Sequence, residues 1–218
     1  MVVRLRQVGV AICGFLLGMM AILHPTAAEE PGRFIRVGVA TLTPLGWADF
    51  CSRYKDECKA GRTTPRDLEG TAAHLALIDM INRRVNARIQ PKTDYDHWAV
   101  VDRWDLPGDG MGDCEDYALL KRKLLIDSGI PRQALLMTVV RDEMNQGHAV
   151  LTVKTTRGEF ILDNINDELK IWSRTPYRFV KRQSQEDQNV WVAIGSSAMS
   201  AHVIRVQGAD VAGRSSER

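Results

Sequence analysis

Apolar residues recur along this chain with two different periods, and the change of period divides it. Trp47, Phe50 and Tyr54 fall three and four residues apart, which predicts a helix within 43–59. Gly61 to Pro65 breaks that pattern, and Thr64-Pro65 has the form of a new helix start with Pro in the first helical position. Leu68, Leu75, Ile78, Ile81, Val85 and Ile89 follow at spacings of three, four and seven, the inward face of a long helix ending before Pro91. His74, inside it, reads as a packing or surface residue. From Pro91 to Gly112 the period is lost in an Asp- and Gly-rich stretch carrying Trp98 and Trp104, an irregular loop over a satellite core or a site. A further helix is predicted from Cys114 to Ser128, with Gly129 in the capping position and Pro131 preventing continuation.

Beyond Pro131 the segments shorten and fill with Val, Ile, Leu and Thr. Strands are predicted at Ala134–Arg141, His148–Thr155 and Glu159–Asp163, with further candidates at Tyr177–Arg182 and His202–Gln207. Helices first and strands afterwards argue for an α+β fold on an antiparallel sheet. The chain of 218 residues accommodates one such domain, and 44% hydrophobic content supplies its core.

The N-terminus has a different character. Arg4 and Arg6 precede an apolar run from Val8 to Leu23, followed by Pro25-Thr26-Ala27-Ala28. A basic start, a short apolar centre and a small-residue exit describe a secretory signal peptide over 1–28. The run falls short of the roughly 20 residues a membrane span requires, although an uncleaved anchor is the alternative. No later stretch is apolar enough to span, so the mature chain is expected to be free of membrane spans and periplasmic or secreted. Residues 29–207 form the expected domain, and the polar segment 208–218 a frayed tail. Charge then balances. The leader holds two of the 29 Lys and Arg and none of the 27 Asp and Glu, leaving 27 of each sign. A neutral chain has no broad basic surface for nucleic acid.

Export changes the meaning of the cysteines. Cys51, Cys58 and Cys114 remain, an odd number in an oxidising compartment. Cys51 and Cys58 are close enough in sequence to pair, leaving Cys114 free. Seven residues of unbroken helix would hold their Cα atoms about 10 Å apart, too far for a disulfide. Pairing therefore requires the helix to end between Arg53 and Glu57; the alternative is two unpaired thiols on a buried face.

Gly112-Asp113-Cys114-Glu115-Asp116-Tyr117-Ala118 carries the chemistry. It sets a cysteine at a helix start, where free N–H groups and the positive dipole end stabilise a thiolate. A nucleophilic cysteine also needs a base and a group to orient it. His148 begins one predicted strand and Asp163 ends the next, so folding the hairpin about 155–157 brings them within a residue or two of register. Each has a plain structural alternative: a buried cysteine, a structural histidine, an Asp-Asn turn. Zinc fits poorly, because no second Cys or His lies at ligand spacing around Cys114.

The blocks GDCEDYALLKRKLL, Gly129-Ile130-Pro131, GHAVLTV and ILDN, in this order, resemble the bacterial transglutaminase-like cysteine peptidases, which include the LapG-type periplasmic proteases that clip surface adhesins. The resemblance runs from about Thr43 to Trp191 and takes in Cys51, Cys58 and Arg182-Gln183-Ser184. It implies a papain/transglutaminase-like α+β core, with the nucleophile helix packed on an antiparallel sheet. It also implies a nucleophile at Cys114, a base at His148 and an acid at Asp163. In adhesin-clipping members acids flanking the cysteine bind calcium, which would place a calcium ion on Asp113 and Glu115; helix capping is the alternative. The expected activity is hydrolysis of a protein substrate, with a cell-surface or periplasmic protein as the expected partner, through a Cys114 thioester. Acyl transfer to an amine on the same triad, or a catalytically silent binding module, are the alternatives. The Cys114 backbone N–H is the expected oxyanion donor, with Trp104 a candidate for the second.

Overall fold

The computed structural model describes residues 32–59 and 61–195. The leader, the candidate strand at 202–207 and the tail lie outside the described residues. The helices are α1 (Leu45–Arg53), α2 (Ala72–Arg88), α3 (Asp94–Trp98) and α4 (Cys114–Asp127). The strands are β1 (Val37–Thr41), β2 (Gln90–Pro91), β3 (Met111–Gly112), β4 (Leu135–Arg141), β5 (Gly147–Thr155), β6 (Gly158–Leu162), β7 (Lys170–Ile171), β8 (Arg178–Gln183) and β9 (Trp191–Ile194). Seven of them form one antiparallel sheet in the order β1-β9-β8-β4-β5-β6-β7, while β2 and β3 make a short parallel pair. This is the expected α+β architecture. No helix among the described residues is long and apolar enough to cross a membrane.

The helices cover one face of the sheet. Trp47 and Phe50 from α1, Ile78 and Val85 from α2, and Leu119 and Leu125 from α4 pack against Leu135, Met137, Leu151 and Trp191. A smaller cluster of Val140, Val150, Ile161, Phe179 and Ile194 fills the other face. Strands buried on both faces read as continuous apolar runs, and β4 and β5 do so because they lie mid-sheet. α4 ends where Gly129 adopts φ +90°; its N–H reaches the Ile126 carbonyl and that of Ile130 the Leu125 carbonyl.

Two expectations about helix limits resolve differently. α1 ends at Arg53, with Tyr54 as its C-cap, and the chain turns so that Cys51 and Cys58 form a disulfide with Cα atoms 5.4 Å apart. Among the described residues Cys114 is the free cysteine. The long helix, however, does not start at Thr64-Pro65. Leu68 instead bridges to β5: its N–H bonds the Lys154 carbonyl at 3.0 Å and its carbonyl accepts from Thr156 N–H at 2.9 Å. Those long-range bonds outcompete the local signal, and α2 begins only after Thr71, whose Oγ1 accepts from His74 N–H at 3.1 Å.

Candidate active site

α4 and β5 meet at Cys114. β5 starts at Gly147, but its ladder with β6 opens only at Leu151↔Leu162, so the first residues of β5 face an edge that β6 does not cover. Cys114, the first residue of α4, occupies that edge, and its Sγ accepts from Ala149 N–H at 3.4 Å. The same register sets Asp163 two residues off His148, a diagonal pair. His148 Nε2 lies 3.0 Å from Asp163 Oδ1. The structure thus brings Cys114, His148 and Asp163 to one end of the sheet, at a cleft of about 470 Å³ that Cys114 and His148 both line. Leu45 and Val101, 83% and 91% exposed, stand at its apolar rim.

Asp163 is buried, which favours its neutral form. Hydrogen bonds from His148, Tyr177 and the Ile165 N–H outweigh burial and hold the carboxyl below the usual range. From the sequence Tyr177 is only the first residue of a candidate strand, with no part in the site. It donates its hydroxyl to Asp163 Oδ2 and sets its ring 5.3 Å from that of His148. No local pattern marks it, because the contact joins residues from opposite sides of β7.

The thiol has a second neighbour. Cys114 S–H donates to Glu115 Oε2 at 3.0 Å. Burial, then the Glu115 charge, pushes the thiol well above its ordinary value, against the pull of the helix start. The carboxylates are perturbed in turn. Burial and the Asp113 charge push Glu115 up to about 9, and burial with the Asp113 and Asp94 charges pushes Asp116 to about 8. Burial likewise raises Asp113 and Asp94.

Asp113 and Glu115 are therefore part of a larger group. One oxygen each of Asp94, Asp102 and Glu115 lies within 4.8 Å of the others, and so do those of Asp94, Asp113 and Asp116. Asp113 Oδ1 is buried with no hydrogen-bond partner, and Asp113 makes no side-chain cap to α4, contrary to the capping alternative for that residue. Its Oδ2 instead accepts from Asp94 N–H at 3.2 Å. Asp116 has a structural partner, accepting from Asp105 N–H at 2.7 Å. The density of Asp between 94 and 109 was the available signal for Asp94 and Asp102, but nothing in it says which of these acids face Cys114. Trp104 proves unsuitable as an oxyanion donor. Its Nε1–H is taken by Asp102 Oδ1 at 2.9 Å, and its ring packs onto Gly46, where a Cβ would fall 2.3 Å from Cδ1.

Residues 37–199, well over half of the chain, match the family described as bacterial transglutaminase-like cysteine proteinase, BTLCP. Among solved structures, calcium-bound LapG of Legionella pneumophila is 28% identical, over 57% of this chain and 71% of that one, with a TM-score of 0.48. EGTA-treated LapG of the same organism is 27% identical, over 58% and 73%, at the same TM-score. A third LapG structure is 28% identical over 63% of this chain and 80% of that one, at a TM-score of 0.48. No curated protein matches.

Proposed function

The chain belongs to the bacterial transglutaminase-like cysteine proteinases, and from that premise we propose an exported endopeptidase working through Cys114, His148 and Asp163. The observation that carries this reading is the placement of the Cys114 sulfur on Ala149 N–H, beside a histidine whose Nε2 is engaged by Asp163. That engagement leaves Nδ1 of His148 to exchange the thiol proton. His148 takes the proton, the thiolate attacks a peptide carbonyl, and the imidazolium returns the proton to the departing amine. Water activated by the same ring then hydrolyses the thioester. Asp163 holds the ring tautomer and stabilises the imidazolium. The backbone N–H of Cys114 at the α4 start is the oxyanion donor.

The acids at the α4 start suit a hard divalent cation. All are oxygen donors, and Asp113 Oδ1 is buried without a partner. Asp113 and Glu115, with Asp94 and Asp102, would hold calcium. When bound, the ion would supply positive charge that offsets the carboxylates beside the thiol and lowers the cost of a thiolate there. The signal-like leader and the Cys51–Cys58 disulfide support an oxidising, periplasmic location.

Comparison of cell-surface protein fragments from cells carrying the wild type or Cys114→Ala tests the activity, and fragments present in both would refute it. His148→Ala should match Cys114→Ala, and Asp163→Asn should keep a residual rate. Chelation should abolish turnover, with calcium restoring it and zinc not. Calorimetric titration should detect calcium on the wild type and lose it with Asp113→Ala. Full activity after exhaustive chelation removes the metal from the account.

A further inference from the structure

The two oxygens of the Asp163 carboxylate have different partners. Oδ1 lies 3.0 Å from His148 Nε2 and accepts from Ile165 N–H at 3.1 Å. Oδ2 accepts from the Tyr177 hydroxyl. The Tyr177 ring also lies against the imidazole, centres 5.3 Å apart and planes tilted by 53°. One side chain therefore touches both acid and base, and it comes from the segment leading into β8, outside the β5–β6 hairpin. The backbone at Asp163 is fixed separately, by Asn86 Nδ2 donating to its carbonyl at 2.8 Å.

The geometry points to Tyr177 as a positioning residue of the triad, its hydroxyl holding Asp163 Oδ2 so that Oδ1 stays aimed at His148 Nε2. This rests on the Cys114–His148–Asp163 reading. The final torsion of an Asp side chain is broad and two-fold, so a carboxylate restrained at one oxygen can turn away from its partner. A donor on the second oxygen removes that freedom. Burial and the Asp163 charge keep the Tyr177 hydroxyl protonated, so it serves as a donor throughout the working range. The other charged groups acting on this cluster are Lys121 from α4 and Asp142 from the end of β4, along with Cys114.

Tyr177→Phe keeps the ring on His148 and removes only the donor. With p-nitrophenyl acetate as acyl donor, Cys114 acylation should slow by roughly 10- to 150-fold, the range expected for one hydrogen bond to a charged group. The ester concentration at half-saturation should be unchanged. In the Asp163→Asn background the same substitution should cost nothing further, because the group through which it acts has lost its charge. The His148 Nε2–H resonance, followed by NMR in the full mature chain, should move upfield in Tyr177→Phe as its hydrogen bond to Asp163 Oδ1 loosens. Equal losses in both backgrounds, or an unmoved Nε2–H resonance, would overturn the proposal. If the Phe variant does not fold, 3-fluorotyrosine at 177, a more acidic donor of nearly the same shape, should shift the same resonance; no movement overturns the proposal. Retained acylation in Cys114→Ala or His148→Ala would instead defeat the triad itself, so the two failures are distinguishable.

Discussion

Lys121 is a buried amine that the chemistry does not use, and removing it should stabilise the protein. It lies on α4, fully shielded from solvent, with no protein group in hydrogen-bond reach of Nζ and the Tyr117 ring centre 5.9 Å away. Burial lowers its pKa from 10.5 to about 7, even though the charges of Asp163 and Asp167 oppose the drop. Between those values the unfolded chain carries a proton that the folded one lacks, so this group makes stability rise with pH. Below pH 7 both states are protonated and the folded state bears the whole penalty. At about 1.4 kcal/mol per pH unit, that penalty is on the order of 5 kcal/mol. Lys121→Met keeps the stem volume and removes the charge. It should raise unfolding free energy by roughly 3–5 kcal/mol at pH 6–7, with the gain shrinking towards zero near pH 10. Urea denaturation of both proteins from pH 6 to pH 10 measures it. A variant less stable than wild type at pH 7, or a gain independent of pH, would refute the reasoning.

Replacing Cys51 and Cys58 together by Ser should cost about 2–3 kcal/mol for so short a loop, read by urea denaturation without reductant. The mature wild type should then titrate one thiol. Arg182 and Glu159 form an ion pair buried between β8 and β6. Arg182→Met should destabilise by about 3–5 kcal/mol, whereas adding Glu159→Met should recover most of the loss, since an unpaired buried charge costs more than an apolar pair. A Cβ on Gly112 would fall 2.5 Å from Asp116 Oδ2. Gly112→Ala should therefore displace the start of α4, costing about 1–3 kcal/mol in thermal unfolding and slowing Cys114 alkylation by iodoacetamide.

What the sequence made legible was whatever short-range pattern decides. α4 and its glycine cap, the β4, β5, β6 and β8 segments and the hairpin that joins His148 to Asp163 are all set by period and turn chemistry. The start of α2 was not, because Leu68 is held by backbone bonds to Lys154 and Thr156 that no local window contains. β1 and β9 were missed for a related reason. β1 carries mostly exposed positions and β9 is four residues long, so neither shows the alternation of a half-buried strand, and each is completed by the other. In the site, the residues adjacent to Cys114 could be named from the sequence, whereas Asp94, Asp102 and Tyr177 enter through loops whose course only tertiary packing fixes.

The pairing of β1 with β9 also sets how the domain meets mechanical load. The first residue of β1, Val37, is partnered with the last of β9, Ile194, while the chain just before it is held elsewhere, the Arg33 carbonyl accepting from Glu159 N–H at 3.0 Å and the Gly32 carbonyl from the Ser173 hydroxyl at 2.8 Å. Antiparallel strands pulled from adjacent ends unzip, parting their bonds one after another, whereas strands pulled from opposite ends shear and resist together. β1 is the edge strand and stands four strands from β5, roughly 19 Å at the usual spacing. A tug on the chain before β1 would therefore load β6 through Arg33 and Glu159, next to the hairpin that joins His148 to Asp163, whereas a tug on the chain after β9 would load the β1–β9 edge.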